Sequence, residues 1–292
     1  HWERVQAEAG FQLSAKSFRF LHVSSCFPRK GADAMLKAYG QAFRAQDDVS
    51  LIIKTFANPH NEIHQWLEQA RAGDANYPDV QILEGDYTDE QLKALYEACH
   101  ALIAPSRAEG FGLPLAEAML SGLAVITTAW SGQLDFCTPQ TAWLVDYNFA
   151  RAQTHFDLDE SVWAEPDIPH LKATLLEVQQ ATASQRLQRA SHGRDLLLQQ
   201  FKWTDVARRA ESAIRQHAAR SIWPSPRVGW VTTWNTHCGI ASFAAYLMAH
   251  MPPDTVLLAN HATELTAPDD PRVIRCWYAN DQDPLQSLNQ AV

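Results

Sequence analysis

The chain has few cysteines and no long apolar run. Its five cysteines form no CxxC pair and no regular spacing, which favours reduced thiols over a disulfide framework or a zinc site; they are Cys26, Cys99, Cys137, Cys238 and Cys276. No apolar stretch approaches the roughly 18 residues that a membrane-spanning helix needs, and the amino-terminal residues show no signal-peptide pattern. We therefore predict a cytoplasmic protein, with peripheral contact at the inner face of a membrane left open.

Positive charge is also scarce. The 292 residues include 24 Lys and Arg against 33 Asp and Glu, which gives a formal net charge of −9. A general nucleic-acid binder meets the phosphate backbone with an excess of Lys and Arg, so no nucleic-acid partner is expected. Any phosphate that the chain binds must be met by a few local cations. The hydrophobic content of 46% is ordinary for a globular protein, and the length predicts about two domains.

Both common nucleotide-binding fingerprints are absent. Gly110 and Gly112 begin a GxG pattern, but Leu115 stands where GxGxxG has its third glycine, and no GxxxxGK[ST] occurs. A metal site is not expected either. His60 and His64 have helical spacing but lack the HExxH pattern of a zincin and an evident third ligand.

Apolar strands alternate with helical segments in residues 17–220, which we assign to the first domain. Strands are predicted at residues 18–23, 49–56, 80–85, 101–104, 124–128 and 141–145. This alternation predicts an α/β fold with a Rossmann-like parallel sheet and helices on both faces. Residues 146–169 are predicted to be an irregular insertion, and three helices follow them. Residues 1–16 are predicted to be a linker or the tail of a missing upstream domain.

A second α/β unit is predicted after a linker that contains two prolines, residues 221–227. Residues 228–292 contain a strand, a turn with one glycine, a helix and a second strand, which is how an α/β domain opens. This stretch is shorter than the roughly 100–150 residues typical of a domain. We expect a truncated second domain, in a chain that is a piece of something longer.

The strongest chemical pattern lies in residues 105–128. A polar loop follows an apolar strand, Pro114 suits the start of a short helix, and Gly122 suits its carboxyl-terminal cap. Glu109 lies in the loop and Glu117 one helical turn past Pro114, so both carboxylates are expected to face one crevice. Open α/β sheets bind ligands beyond the carboxyl ends of strands, and a helix N-terminus offers N–H groups to an anion. A polyhydroxylated molecule that carries phosphate fits such a place.

Cations are expected at the same crevice. Arg29, Lys30 and Gly31 stand between a strand and a helix, where two positive charges and backbone N–H groups can converge on a diphosphate. A solvated basic turn is the alternative for this motif. Lys54, near the end of the second strand, is a candidate for the same crevice, with an ordinary strand-end lysine as its alternative.

These motifs resemble the carboxyl-terminal nucleotide-sugar domain of family-four (group 1) retaining glycosyltransferases of the GT-B fold. The similarity covers residues 17–220 and is carried by HVSSCFPRKGADAMLKAY and PSRAEGFGLPLAEAMLSGLAVITT. Glu109 and Glu117, with seven residues between them, match the family's paired-glutamate signature. Separately, VGWVTTWNTHCGIASFAAYL resembles the start of the N-terminal, acceptor-side domain, with Gly239 in its glycine loop. This order implies a tandem polypeptide; circular permutation is the alternative.

The resemblance also implies residue roles. Glu109 would contact the donor sugar hydroxyls, Glu117 the ribose hydroxyls, and Lys30 the diphosphate. Amides lining the sugar and phosphate site would be those of Gly110, Phe111, Gly112 and Leu113. The family usually carries an arginine where this sequence has Ser25. Arg29 as its substitute is a hypothesis that turnover of the Arg29→Ala variant would test.

The function that the resemblance implies is hexosyl transfer, with mannose as one candidate sugar. The donor would be a nucleotide diphosphate sugar, the acceptor would be a polysaccharide or glycolipid, and the reaction would be retaining. It would need no metal or other cofactor. Asp157-Leu158-Asp159 has the Asp-x-Asp pattern of a metal motif but is interpreted as solvated. The isolated chain would lack its acceptor domain, so it could bind donor without transferring the sugar. Two alternatives are a noncatalytic nucleotide-sugar-binding module of a larger transferase and a sugar-nucleotide epimerase or phosphorylase of the same fold. The dense match of EGFGLPLAEA to the family motif argues against a purely structural domain.

Overall fold

The computed structural model of the chain describes residues 1–8, 10–153, 161–218, 228–262 and 264–277. By its internal contacts the chain divides into two compact units, His1–Leu197 and Leu198–Val292. The first unit contains most of the predicted functional residues.

Six parallel strands form the sheet of the first unit. They are β1 (Phe18–Val23), β2 (Val49–Thr55), β3 (Asp79–Glu84), β4 (Ala101–Ala104), β5 (Ala124–Thr128) and β6 (Trp143–Val145). Their order is β3-β2-β1-β4-β5-β6, and every neighbouring pair is parallel. β1 and β4 lie side by side although two strands separate them in sequence. The winding direction reverses there, and such a switch point opens a crevice beyond the carboxyl ends of the two strands.

Four helices connect these strands: α1 (Ala32–Ala42), α2 (Ile63–Gly73), α3 (Asp89–Glu97) and α4 (Leu113–Leu120). Two more follow the sheet in sequence, α5 (Ile168–Gln180) and α6 (Ala183–Gln200). A capping box opens α3: Thr88 accepts from the backbone N–H of Gln91, and the Gln91 side chain accepts from the backbone N–H of Thr88. The core lies between the sheet and its helices, with Phe20, Tyr39 and Ile53 fully buried.

The short helix α4 ends as its sequence predicts. The N–H of Gly122 donates to the carbonyl of Met119, and the N–H of Leu123 donates to that of Ala118. These two bonds form a Schellman motif, in which Gly122 adopts the left-handed conformation that favours glycine. Pro114 occupies the second position of the helix, after Leu113.

The predicted irregular insertion is wrong for its described residues, which form an antiparallel hairpin. β7 (Tyr147–Arg151) pairs with β8 (Val162–Pro166), with Tyr147 opposite Pro166. Tyr147 and Phe149 lie on one face of β7 because side chains alternate along a strand. The alternation consists of two aromatic residues with the polar Asn148 between them, and it is too short to stand out in a polar stretch of sequence. Asp157-Leu158-Asp159 lies outside the described residues.

The amino-terminal segment, predicted to be a linker or tail, packs on the first unit. Trp2 is buried, its ring meets Tyr96 edge to face at 5.6 Å, and its Nε1 donates to Ser121 Oγ at 2.9 Å. Further along, Phe11 stacks on Tyr87 with 5.3 Å between ring centroids. Aromatic burial therefore fixes a segment whose sequence shows no periodicity.

The second unit contains a three-stranded parallel sheet. Its elements are α7 (Trp203–Ala218), β9 (Gly229–Thr232), α8 (Gly239–Met248), β10 (Val256–Asn260) and β11 (Val273–Trp277), with strand order β11-β10-β9. Trp203 of α7 stacks on Tyr246 of α8, and Ala207 is buried in the same cluster as Trp234. By these contacts α7 packs within the second unit, and the predicted end of the first domain at residue 220 stays a prediction. The predicted linker, residues 221–227, lies outside the described residues.

Among the described residues, no helix combines the length and the apolar character that crossing a bilayer requires. All five cysteines are free thiols, and only Cys238 is partly exposed.

Candidate functional site

Lys30 and Glu109 meet at the switch point of the sheet. Lys30 ends a short 3-10 turn after β1, and Glu109 lies in the loop after β4. Lys30 Nζ donates to Glu109 Oε1 at 2.5 Å, and the two side chains are 14% and 11% exposed. Burial lowers the pKa of Lys30, while the Glu109 carboxylate acts in the opposite direction. The site thus holds a cation and a carboxylate in a largely dehydrated place.

Arg29 adds a second positive charge at the edge of this site. Its Nη1 lies 3.7 Å from Glu109 Oε2 and donates to the carbonyl of Ala108 at 3.3 Å. The Arg29 side chain is 42% exposed, so part of the guanidinium is accessible to a ligand. Ser25, where the resembling family has its arginine, instead offers its carbonyl to Asn58 Nδ2 at 2.9 Å. Arg29 is therefore in position for the substitute role, which stays a hypothesis.

Gly31 allows the Lys30 turn to approach the loop after β4. It has φ of 67°, and a Cβ at this position would overlap the carbonyl oxygen of Pro105. The two loops are also joined by the N–H of Arg107, which donates to the carbonyl of Arg29 at 2.8 Å. This close contact holds Lys30 within reach of Glu109.

The Arg107 side chain, which sequence reasoning missed, strengthens the same junction. Its guanidinium contacts Asp33 with two bonds of 2.8 Å and Glu165 with two bonds of 2.6 Å. It also donates to the carbonyl of Pro28 and lies 4.7 Å from the centre of the Trp163 ring. The carboxylates raise the pKa of Arg107 against the opposing effect of its burial. A charged cluster thus ties α1 and β8 to the loops of the site.

His22 connects β1 to β4 beneath the site and was also missed. Its Nδ1 bonds to the carbonyl of Ile103 at 2.8 Å, so this nitrogen carries the proton, and Nε2 accepts from Ser24 Oγ at 2.6 Å. Ser24 Oγ in turn accepts the N–H of Cys26, which has φ of 53°. Burial lowers the pKa of His22 to about 4, so the ring is neutral at physiological pH. The signal available in the sequence was a histidine inside an apolar strand.

Glu117 has a different set of partners from Glu109. Tyr96, fully buried on α3, donates its hydroxyl to Glu117 Oε2 at 3.0 Å. Within the described residues, the two glutamates share no hydrogen-bond partner. Glu109 instead accepts from Ser106 Oγ at 2.9 Å in addition to Lys30. The expectation that both carboxylates face one crevice stays a prediction that a bound donor would test.

Burial raises the pKa of Glu117 from 4.5 to about 7. Between these two values the folded protein keeps a proton that the unfolded chain has released, so this group makes stability fall as pH rises through that window. Glu117→Gln keeps the neutral form at every pH. We subtract the free energy of unfolding of wild type from that of Glu117→Gln at each pH. We expect this difference to be about 1–3 kcal/mol larger at about pH 8 than at about pH 5. Urea denaturation across this range measures the difference. Glu68→Gln, an exposed change, should show no such trend with pH. If the difference between Glu117→Gln and wild type did not depend on pH, the raised pKa of Glu117 would be wrong.

The remaining predicted residues have separate environments. Phe111 packs on Phe136 at 4.9 Å between centroids, Gly112 caps the start of α4, and Leu113 is its first residue. Gly110 is exposed beside them. Lys54 has partners other than Lys30 and Glu109: its Nζ donates to the carbonyl of Gly85 at 2.7 Å and lies 4.8 Å from the centre of the Tyr87 ring. Its place in the crevice stays a prediction. In the described part of the chain, no three His, Cys, Asp or Glu side chains form a group that could hold a metal ion.

The sequence of the chain matches a known protein family. The family model of glycosyl transferases group 1 matches residues 6–154, which is just over half of the chain. The chain belongs to this family. The matched range contains β1 to β6 together with Lys30, Glu109 and Glu117, so the sheet and the candidate site of this group 1 glycosyltransferase both lie in the part of the chain that the family model matches.

Individual proteins are similar to the chain in sequence or in fold. The MMP alpha-(1->4)-mannosyltransferase of Mycolicibacterium hassiacum is 25% identical over 198 residues, which are 68% of this chain and 42% of the relative. A sucrose-phosphate synthase from Thermosynechococcus elongatus has a TM-score of 0.55 at 23% identity, over 72% of this chain and 47% of that one. The Anabaena protein HepE, solved in complex with UDP and glucose, has a TM-score of 0.51 at 18% identity, over 70% and 49% of the two chains.

These likenesses confirm the predicted fold class, an α/β fold with a Rossmann-like parallel sheet of the GT-B type. The chain spans less than half the length of these three proteins.

Proposed function

We propose that this group 1 glycosyltransferase transfers a hexose from a nucleotide diphosphate sugar to a polysaccharide or glycolipid acceptor, with retention at the anomeric carbon. The observation that carries the proposal is the dehydrated Lys30–Glu109 pair at the switch point, close to the start of α4. A cation beside a carboxylate matches a donor that presents a diphosphate and sugar hydroxyls next to each other. Mannose is the first sugar to test, because similar proteins include named mannosyltransferases.

In the proposed reaction, the bond from the anomeric carbon to the diphosphate oxygen breaks and a bond to the acceptor oxygen forms on the same face. Negative charge then collects on the departing diphosphate, where Lys30 and Arg29 stabilise it electrostatically. The acceptor's proton passes to an oxygen of that leaving group. This places the required positive charge on side chains, and we propose that the reaction is independent of metal.

The start of α4 can supply amides to the same anion. Pro114 has no N–H, and the N–H groups of Leu115 and Ala116 both donate to the carbonyl of Gly112. We therefore assign the anion contact to the amides of Gly112 and Leu113, with Gly110 and Phe111 lining the sugar side. Ser25 and Lys54 are less suited, since the Ser25 carbonyl and the Lys54 amine are already bonded to neighbouring loops.

The division of roles between Glu109 and Lys30 is tested by Glu109→Gln. Losing the charged acceptor for sugar hydroxyls should weaken binding of the matching nucleotide sugar by about 10-fold to 100-fold. Binding of the nucleoside diphosphate alone should be unchanged or tighter, because a negative charge near the phosphates is removed. Calorimetry with GDP-, UDP-, dTDP- and ADP-sugars, and with the corresponding diphosphates, measures both.

Glu68→Gln, an exposed change on α2, is the control and should alter neither affinity. Equal weakening of both ligands by Glu109→Gln would remove Glu109 from the sugar site. Failure of every nucleotide sugar to bind wild-type protein would reject the donor assignment. The same calorimetry tests the ribose role of Glu117. If Glu117→Ala binds the nucleotide sugar as tightly as wild type does, that role is excluded.

We also propose that residues 17–220 act as the donor side of one transferase module and that residues 228–292 begin the acceptor-side domain of a second. The parallel sheet of the second unit and the helix α8, which starts at Gly239, support this assignment. A sugar-nucleotide epimerase of the same fold is distinguished by product formation. In a polypeptide that includes the acceptor domain, a transferase releases nucleoside diphosphate only when acceptor is present.

A further inference from the structure

Ser131, in the turn after β5, has an unusual backbone conformation. Its φ of 82° and ψ of −165° lie in a region that is populated almost exclusively by glycine. A side chain there is strained and persists only where the surroundings hold it in place. Of the three described non-glycine residues with positive φ, two belong to the first unit. These two, Cys26 after β1 and Ser131 after β5, follow the strands on either side of β4.

The Ser131 hydroxyl bonds to the main chain of Glu109. Its Oγ donates to the Glu109 carbonyl at 2.6 Å and accepts the Glu109 N–H at 3.3 Å. The N–H of Gly132 donates to the same carbonyl at 3.1 Å. One strained residue and its neighbour therefore hold both polar groups of the Glu109 peptide backbone.

The packing around this turn leaves little room for movement. A Cβ on Gly132 would overlap the carbonyl of Gly110, so the turn lies directly against the Glu109 loop. Gln133, fully buried, anchors the turn through a 3.1 Å bond from Nε2 to the carbonyl of Thr128. The Glu109 loop is thus fixed from the β5 side, while the Glu109 carboxylate is fixed from the β1 side by Lys30.

A turn with a purely structural role would be served better by glycine, which adopts this conformation without strain. What serine adds is its hydroxyl, and that hydroxyl bonds to the residue whose carboxylate is assigned to the donor sugar. We propose that Ser131 is a positioning residue, whose hydroxyl sets the Glu109 main chain so that the carboxylate is aimed at the sugar. This inference rests on the proposed function of Glu109.

Two matched variants separate positioning from stability. Ser131→Ala removes the hydroxyl and keeps the strain, whereas Ser131→Gly removes both. Both should bind the nucleotide sugar about 3-fold to 10-fold more weakly than wild type, since each lacks the same hydrogen bonds. Both should bind the nucleoside diphosphate as wild type does. The Gly variant should nevertheless melt about 2–6 °C above the Ala variant, because only glycine relieves the strain.

A third protein, Ser131→Ala combined with Glu109→Gln, should bind the nucleotide sugar no more weakly than Glu109→Gln alone, because the positioned carboxylate is already gone. Wild-type affinity in the Gly variant would overturn the inference, as would equal weakening of the nucleotide sugar and the diphosphate. If wild type binds no nucleotide sugar, the proposed function fails instead. The melting comparison of the two single variants would still report the strain.

Discussion

Replacing Arg107 with methionine is expected to lower the free energy of unfolding of the first unit by about 2–4 kcal/mol. The Arg107 side chain is 5% exposed, and its removal leaves two carboxylates without their shared cation. We expect less than the loss for a fully buried pair, because Asp33 and Glu165 are 41% and 35% exposed and can regain water. Urea denaturation of the variant and of wild type measures the change.

Two further variants make the Arg107 result specific. Arg107→Lys keeps the charge but cannot form paired bonds to both carboxylates, so its loss should be intermediate. Arg194→Met breaks an exposed ion pair with Glu3 in the same unit and should cost less than about 1 kcal/mol. If Arg107→Met lowered the free energy of unfolding no more than Arg194→Met does, the Arg107 cluster would stabilise the first unit no more than an exposed ion pair.

The Arg107 cluster also illustrates what the sequence could not predict. Glu165 belongs to the β7–β8 hairpin, whose alternation is too short to stand out in a polar stretch of sequence, so the sequence offered no reason to pair it with Arg107. Lys54 is a similar case. Its position near the end of β2 was predicted correctly, but the Gly85 carbonyl and the Tyr87 ring that take its amine come from the loop after β3. Partners that tertiary structure brings together leave no local pattern.

Other features were accessible because they follow from local chemistry. β2 is buried along its whole length, as its apolar run predicts for an inner strand of a parallel sheet. Lys30 and Glu109 meet because each follows the carboxyl end of a strand, and the order of the sheet makes those strands neighbours. The strain at Ser131 was invisible, since residue type alone does not reveal a glycine conformation occupied by serine. The partner of α7 was equally hidden, because an apolar helix face does not say which unit covers it.

Lys30→Gln is expected to weaken binding of the nucleotide sugar and of the nucleoside diphosphate by the same factor, about 10-fold to 100-fold. Both ligands present the diphosphate, and a charged hydrogen bond to it is lost in each case. The effect should persist at higher salt, because a cation that is only 14% exposed is weakly screened. Arg29→Gln should cause a smaller and more salt-dependent loss, since its side chain is 42% exposed.

The pattern across ligands distinguishes this role from a structural one. Lys30→Gln also leaves the Glu109 carboxylate without its cation, but Ser106 Oγ still donates to it, so the loop retains part of its support. Loss of the sugar ligand alone would mean that Lys30 acts only by holding Glu109, and the diphosphate assignment would then be wrong. Lys37→Gln, an exposed change on α1, should bind both ligands as wild type does. In a polypeptide that includes the acceptor domain, turnover of Lys30→Gln should fall by about 10²–10³, because the charge that develops on the leaving diphosphate loses its buried cation.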